Sequence, residues 1–118
     1  MARGTVGAYD GLMLPEHHAT SYSHDAASAK VLVAIGESPR PGLHGDVPAR
    51  LLLDGANHLV GVDVVPGRPD RVVVMLGPHE KVARVLDATV HVEGGGRTVT
   101  IHGHAAKEIA PGASPYVS

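Results

Sequence analysis

The sequence predicts an all-β fold of about six short antiparallel strands, arranged as a sandwich or a small barrel. The chain of 118 residues contains 15 Gly and 9 Pro, and these residues divide it into short segments. The aliphatic segments are rich in Val and no more than eight residues long, which is the composition and length of β-strands. Aromatic residues make up only 3% of the chain, so aliphatic side chains must form the core.

The predicted strands form one β-domain over residues 29–110. Each strand is bounded by Gly, Pro, Asp or Asn, which are the residues that favour turns. The strands cover residues 30–35, 49–54, 58–65, 71–76, 86–92 and 97–102. Residues 1–28 are expected to be an N-terminal extension with little regular structure, and residues 111–118 a loose C-terminal tail.

The second and third predicted strands form a hairpin whose register follows from side-chain alternation. Residues 54–57 form its turn, because Gly55 and Asn57 accept the positive φ angles of a tight turn. The same register places Arg50 opposite Asp63, a favourable pair of opposite charges across two strands. The predicted apolar pairs are Leu51 with Val62 and Leu53 with Val60.

Two of the predicted strands are apolar on both faces, because residues 51–53 and 72–74 are uninterrupted aliphatic runs. Strands of this kind must be covered on both sides by another layer of the chain or by another subunit. We therefore expect a homo-oligomer, in the simplest case a dimer, or a complex with a partner protein.

One short helix is expected near residues 79–85, before the last two strands. Pro78 suits the first position of a helix, and Val82, Val85 and Leu86 follow it with helical spacing. The segment has room for one or two helical turns.

The last two predicted strands form a second hairpin around a glycine-rich loop at residues 93–96. A shift of one residue would place Val opposite Thr throughout, so alternation selects the register. The predicted pairs are Val90 with Val99, Ala88 with Ile101, Thr89 with Thr100, and Asp87 with His102. The last of these pairs brings a carboxylate beside an imidazole.

Composition and charge argue against several classes of function. The net charge of −2 and the pI near 6.5 disfavour binding to nucleic acids or to anionic membranes. The absence of Cys excludes disulfides, thiol catalysis and thiolate metal sites. No apolar run approaches the roughly 20 residues of a membrane span, and the first residues lack the apolar stretch of a signal peptide. We therefore expect a cytoplasmic protein.

Histidine is the one enriched reactive residue, with nine in the chain. On a strand, His102 and His104 would point the same way, because they are two residues apart. Together with Glu108, they could bind one divalent ion such as Zn²⁺, Mn²⁺, Ni²⁺ or Fe²⁺. Asp87 would then orient the ring of His102. The simpler interpretation is that both histidines face solvent where the strand ends.

Residues 96–108 resemble the first metal-binding motif of the cupin superfamily, in which a glycine precedes His-x-His and a glutamate. The matching residues are Gly96, His102, His104 and Glu108. Cupins are β-barrels whose motif binds a catalytic or structural metal, so the resemblance implies a mononuclear metal-binding protein, either a sensor or an enzyme. A third histidine would have to come from upstream, such as His44, His58 or His79.

Residues 22–65 resemble a family of short bacterial β-domains of unknown function. The similarity lies in two stretches, residues 22–35 and residues 51–65. This resemblance implies a β-meander and no particular activity.

The sequence leaves two functional hypotheses open. The first is a non-catalytic β-module that acts through self-association or by binding a partner protein, because the sequence contains no complete catalytic set. The second is a cupin-like site for a divalent metal at His102, His104 and Glu108.

Overall fold

The computed structural model describes residues 16–67 and 71–117, which form one curled β-sheet of eight strands, shaped as a half-barrel. The strands are β1 (Glu16–His18), β2 (Ser21–Asp25), β3 (Lys30–Ala34), β4 (Gly45–Leu53), β5 (Leu59–Val64), β6 (Val72–Met75), β7 (Arg84–Glu93) and β8 (Thr98–His102). A short helix, α1 (His104–Lys107), follows the last strand. The prediction of an all-β fold is confirmed.

The number and direction of the strands differ from the prediction. Within the sheet the order is β1-β6-β5-β4-β7-β8-β3-β2, and β1 lies parallel to β6 while every other pair is antiparallel. The sheet is therefore mixed and has eight strands instead of about six. The two additional strands are β1 and β2, which lie in the segment expected to lack regular structure. They contain no aliphatic run, so the criterion that found the other strands could not detect them.

The two strands at opposite edges of the sheet, β1 and β2, are consecutive in the chain. Between them, the backbone N–H of Ala19 donates to the carbonyl oxygen of Met75 in β6 at 3.0 Å. The N–H of the next residue, Thr20, donates to the carbonyl oxygen of Ala34 in β3 at 2.7 Å. The single segment of residues 16–25 thus pairs first with one edge of the curled sheet and then with the other.

The hairpin of β4 and β5 largely confirms its predicted register. Arg50 lies opposite Asp63, and Leu51 lies opposite Val62. Nearer the turn, Leu53 lies opposite Leu59 instead of Val60, because the register shifts at a β-bulge. The extra residue, Val60, packs beside Leu52 on the outer face of the sheet.

The hairpin of β7 and β8 has the predicted alternation but a register shifted by two residues. The observed pairs are His91 with Thr100, Val92 with Val99 and Glu93 with Thr98. Gly94, Gly95 and Gly96 all have positive φ, and with Arg97 they form a loop of residues 94–97, which lies one residue beyond the predicted loop of residues 93–96. The predicted pairs of Val90 with Val99 and of Asp87 with His102 are therefore wrong: Asp87 faces Arg50, and His102 faces Lys30.

Residues 51–53 of β4 and the whole of β5 and β6 are buried on both faces, which confirms the prediction for residues 51–53 and 72–74 and extends it to β5. On the inner, concave face they join the main core, which also contains Val31, Val33, Val90, Val92, Val99, Ile101 and Ile109. On the outer face, a second cluster is formed by Leu52, Val60, Val73 and Met75. Val82 and Tyr116 of the same chain pack against this second cluster, so here the cover comes from within the molecule.

The C-terminal segment is docked onto the sheet and is not the loose tail that was predicted. A Cβ atom at Gly77 would lie only 2.6 Å from Cδ1 of Tyr116, so the aromatic ring rests directly on this glycine. The helix predicted near residues 79–85 is reduced to one 3₁₀ turn at His79–Lys81, because the chain enters β7 at Arg84. Of the predicted extension, residues 1–15 lie outside the described part of the chain.

Candidate functional site

The histidines of the predicted metal site do not lie on one strand. His102 ends β8 with its side chain exposed, whereas His104 begins α1 and is 88% exposed. Between them Gly103 has a φ of 70° and turns the chain from the strand into the helix. The rule that residues two apart point the same way therefore does not apply here.

Two of the three predicted ligands are brought together by the helix. His104 and Glu108 are four residues apart, and Nε2 of the histidine lies 3.5 Å from Oε2 of the glutamate. The other oxygen of Glu108, Oε1, accepts a hydrogen bond from the guanidinium group of Arg84 at 3.2 Å. A metal ion at Glu108 would have to compete with this cation.

The predicted support from Asp87 is absent because this carboxylate pairs with a different partner. Its Oδ1 lies 3.4 Å from Nε of Arg50, the residue opposite it in β4. Across residues 16–67 and 71–117, no group of three or more His, Asp or Glu side chains is arranged to hold a metal ion.

Three other histidines of the described segments each pair with one carboxylate. His79 lies 2.6 Å from Glu16, and His17 contacts Glu37. Of the upstream histidines considered as a third metal ligand, His58 and His79 thus have carboxylate partners elsewhere, His58 lying 3.4 Å from Asp54. These pairs fix loops and strand ends rather than converging on one point.

The outer side of β2, β3, β8 and the C-terminal half of β7 forms a surface on which no other described strand or helix packs, and we call it the open face. Alternation along each strand directs these side chains away from the main core. They are Ser21, Ser23, Asp25, Lys30, Leu32, Ala34, Thr89, His91, Glu93, Thr98, Thr100 and His102. The open face therefore combines hydroxyl groups and charges with one large aliphatic side chain.

Leu32 lies at the centre of the open face and is 37% exposed. The strand registers place it in one row across four strands, between Ser23 on one side and Thr100 and His91 on the other. At the end of this row, two carboxylates accept hydrogen bonds from the ring of His91: Oδ1 of Asp46 lies 2.9 Å from Nδ1, and Oε2 of Glu93 lies 3.1 Å from Nε2. These two hydrogen bonds raise the pKa of His91, which favours its charged form.

The rows on either side of Leu32 differ in charge. One end of the open face carries Lys30 and His102, which lie opposite each other, and Asp25 beside them. The other end carries Glu93 opposite Thr98, near the carboxylate of Asp46. The open face thus has an apolar centre with short hydroxyl side chains around it and charges at the rim.

Asp54 accepts hydrogen bonds from two separate parts of the chain, whereas the sequence predicted only that it lies in a turn. Its Oδ1 accepts hydrogen bonds from the backbone N–H groups of Ala56 and His58, both at 2.8 Å. Its Oδ2 accepts the hydroxyl of Tyr116 at 2.6 Å. Burial alone would raise the pKa of Asp54, but the hydrogen bonds from Tyr116 and the two backbone groups together lower it. The Asp-Gly-Ala-Asn pattern located the turn, whereas no local signal linked it to Tyr116.

Asp63 is a second carboxylate whose environment the sequence did not reveal. It lies on the outer face, is only 1% exposed, and has Oδ1 at 3.6 Å from Nε of Arg71. Arg50 stands opposite it in β4 and also approaches Asp87. Asp63, Arg50 and Asp87 therefore form one cross-strand row of acidic, basic and acidic side chains.

Comparison of the chain with models of known protein families, with curated proteins and with solved structures found no match. Among residues 16–67 and 71–117, no helix combines the length and the apolar character needed to cross a membrane.

Proposed function

We propose that this chain is a cytoplasmic, non-catalytic β-module that acts by associating with a second copy of itself through the open face. The observation that carries the proposal is the contrast between the two halves of the outer face. The cluster of Leu52, Val60, Val73 and Met75 is covered by the chain itself, whereas Leu32 is left exposed in the middle of the other half. A second copy would bury Leu32 in a setting of short side chains that permit close approach.

Charge supports a second copy as the occupant of the open face. Lys30 lies at one end of this face with Asp25 opposite it in β2, and Glu93 lies at the other end. In a twofold arrangement with the strands of the two copies antiparallel, the end carrying Lys30 meets the end of the partner that carries Glu93. The attraction acts twice in such a dimer, because both copies contribute the same surface.

Light scattering of the purified protein over a wide range of concentrations tests the proposal, because it measures the mass of the particle in solution. We expect the wild type to reach twice the chain mass of 12.2 kDa as concentration rises. Leu32→Lys should remain monomeric, because a desolvated ammonium group at the centre of the interface has no partner. Val85→Lys is the matched control, since Val85 is 45% exposed but lies outside the open face. A wild type that stays at the monomer mass throughout would overturn the proposal.

The alternative function is binding of a divalent metal such as Zn²⁺, Mn²⁺, Ni²⁺ or Fe²⁺, in the manner of a cupin. The proximity of His104 and Glu108 favours it, with His102 as the third ligand. A metal would need to displace Arg84 from Glu108, so the residues fit this role less well than the open face fits association. Elemental analysis of protein purified without added metal tests the alternative, and His104→Ala is the variant that should lose any bound ion.

A further inference from the structure

One end of the row through Leu32 holds a histidine between two carboxylates. Nδ1 of His91 lies 2.9 Å from Oδ1 of Asp46 in β4, and Nε2 lies 3.1 Å from Oε2 of Glu93 in its own strand. An ionised carboxylate accepts hydrogen bonds and has no proton to donate. Only the charged imidazole carries a proton on both nitrogens, so both contacts are hydrogen bonds only when His91 is charged. The geometry is therefore that of the charged side chain.

Loss of the proton from His91 leaves one ring nitrogen as a lone pair that faces a carboxylate oxygen. In a free copy, water moderates this repulsion, because the side chains of His91, Asp46 and Glu93 are 39%, 65% and 69% exposed. Removal of water strengthens the attraction in the charged form and the repulsion in the neutral form, since both grow as the local dielectric constant falls. The cost of neutral His91 therefore depends on whether this end of the open face is hydrated.

The residues of β8 beside this cluster are uncharged. Thr100 lies opposite His91, and Thr98 lies opposite Glu93. Hydrogen bonds to Asp46 and Glu93 raise the pKa of His91, and the negative charges of the same two carboxylates act in the same direction. These two carboxylates therefore determine the charge of His91 in a free copy.

In the twofold arrangement proposed above, the second copy brings the other end of its open face to this cluster. That end carries Lys30, Asp25 and His102. The charge of Lys30 is partly balanced by Asp25, which lies opposite it in the same copy. Lys30 therefore does not replace His91 as the partner of two carboxylates. The imidazole of His102 can add a positive charge at this end, which acts in the same direction as a charged His91.

We propose that the open-face dimer forms with His91 charged in both copies, so that association tightens as the pH falls and weakens as the pH rises. This inference rests on the proposed association and names the group that regulates it. Association removes water from Asp46 and Glu93, and a dehydrated carboxylate needs a charged partner. Charged His91 meets this need for both carboxylates at once. Binding of the second copy therefore takes up protons wherever His91 is partly neutral.

Sedimentation equilibrium between about pH 6 and about pH 9, the range in which histidines titrate, measures the dissociation constant of the dimer. We expect the constant of the wild type to rise at least about tenfold across this range, because each dimer contains two His91 side chains and an effect of about threefold at each is multiplied. His91→Gln cannot be charged and should associate weakly at every pH. His91→Arg stays charged and can donate to both carboxylates, so it should associate tightly at every pH.

Two further histidine variants show whether the effect belongs to His91. His18→Gln is the matched control, because His18 is exposed in β1, outside the open face, and this variant should keep the full pH dependence. His102→Gln removes the other imidazole of the open face and should also remain pH-dependent. A pH dependence that persists in His91→Gln, or that disappears in His102→Gln, would overturn the inference.

NMR titration of the His91 ring measures the coupling directly. We expect the pKa of His91 to be higher in the wild-type dimer than in Leu32→Lys, which is expected to remain monomeric, because association favours the charged form. A wild type that stays monomeric at every pH would contradict the proposed association and this inference together. A dimer whose dissociation constant is the same throughout the pH range would overturn only this inference and leave the association intact.

Discussion

The hydroxyl group of Tyr116 donates a hydrogen bond of 2.6 Å to Oδ2 of Asp54, which joins the C-terminal segment to the turn between β4 and β5. Asp54 uses its other oxygen to accept two backbone N–H groups of the same turn. One carboxylate thus holds a local turn and a distant segment together. The contact also positions the Tyr116 ring over the outer cluster of Leu52, Val60, Val73 and Met75.

Removing this hydroxyl group should destabilise the protein while the fold persists. In Tyr116→Phe the ring remains on Gly77, but Asp54 loses one of its three hydrogen bonds. We expect the free energy of unfolding to fall by about 1.5 kcal/mol, the lower end for a bond to a charged group, because two backbone donors remain. Urea denaturation measures the change. Tyr22→Phe serves as the control, and an equal loss in both variants would contradict the assigned role of Asp54.

The same hydrogen bond makes stability depend on pH in the alkaline range. Asp54 raises the pKa of Tyr116 to about 12, from 10.0 in the unfolded chain. Above pH 10 the unfolded chain loses this proton before the folded protein does, so the stabilising contribution of Tyr116 is full below pH 10 and is lost as pH approaches 12. Denaturation midpoints in this range should fall more steeply for the wild type than for Tyr116→Phe. If the midpoints of the two proteins fall equally with pH, the hydroxyl group of Tyr116 does not contribute to the pH dependence of stability.

Asp63 and Asp87 flank Arg50 in one row but should respond very differently to substitution. Asp63 is 1% exposed and lies beside Arg71, so Asp63→Ala leaves a half-buried guanidinium group without its carboxylate. We expect a loss of about 3 kcal/mol, the cost of breaking a buried pair. Asp87 is almost fully exposed, and Asp87→Ala should produce no measurable change. Chemical denaturation of both variants tests the contrast, and similar losses would contradict it.

Gly61 should be intolerant of any side chain because Met75 packs directly against it. A Cβ atom at this position would lie 2.6 Å from Sδ of Met75 and 3.0 Å from the carbonyl oxygen of Val74. Gly61→Ala should therefore destabilise the protein by about 1–3 kcal/mol through overpacking. Gly55→Ala is the matched control, since nothing lies within 4 Å of a Cβ atom there. Thermal unfolding of both variants measures the change in stability. A Gly61→Ala protein as stable as the wild type would contradict the prediction.

The aliphatic strands could be predicted because their pattern is local. All six predicted runs became β3 to β8, and the pair of Arg50 with Asp63 followed from alternation and a recognisable turn. Alternation repeats every two residues, however, so it fixes which face a residue occupies and not which of two registers is formed. In the hairpin of β7 and β8, the positive φ angles of the three glycines at residues 94–96 favour the observed register. In this register Asp87 no longer lies opposite His102.

The features that escaped prediction depend on contacts between distant parts of the chain. Strands β1 and β2 are polar and owe their conformation to pairing with β6 and β3. The docking of Tyr116 onto Asp54 spans half the sequence and leaves no local pattern. The strand ends at His102 because Gly103, with its positive φ, turns the chain into the helix. This turn separates the two predicted metal ligands, His102 and His104.

The bridging of both sheet edges by residues 16–25 has a consequence for aggregation. A free strand edge presents unpaired N–H and C=O groups that can pair with another chain. Here one segment covers the edge of β6 through Ala19 and the edge of β3 through Thr20. If this segment detaches, two aggregation-prone edges become accessible at the same moment, and both belong to Val-rich strands. The protection of β6 and β3 against edge-to-edge pairing with another chain therefore depends on one short segment rather than on two independent ones.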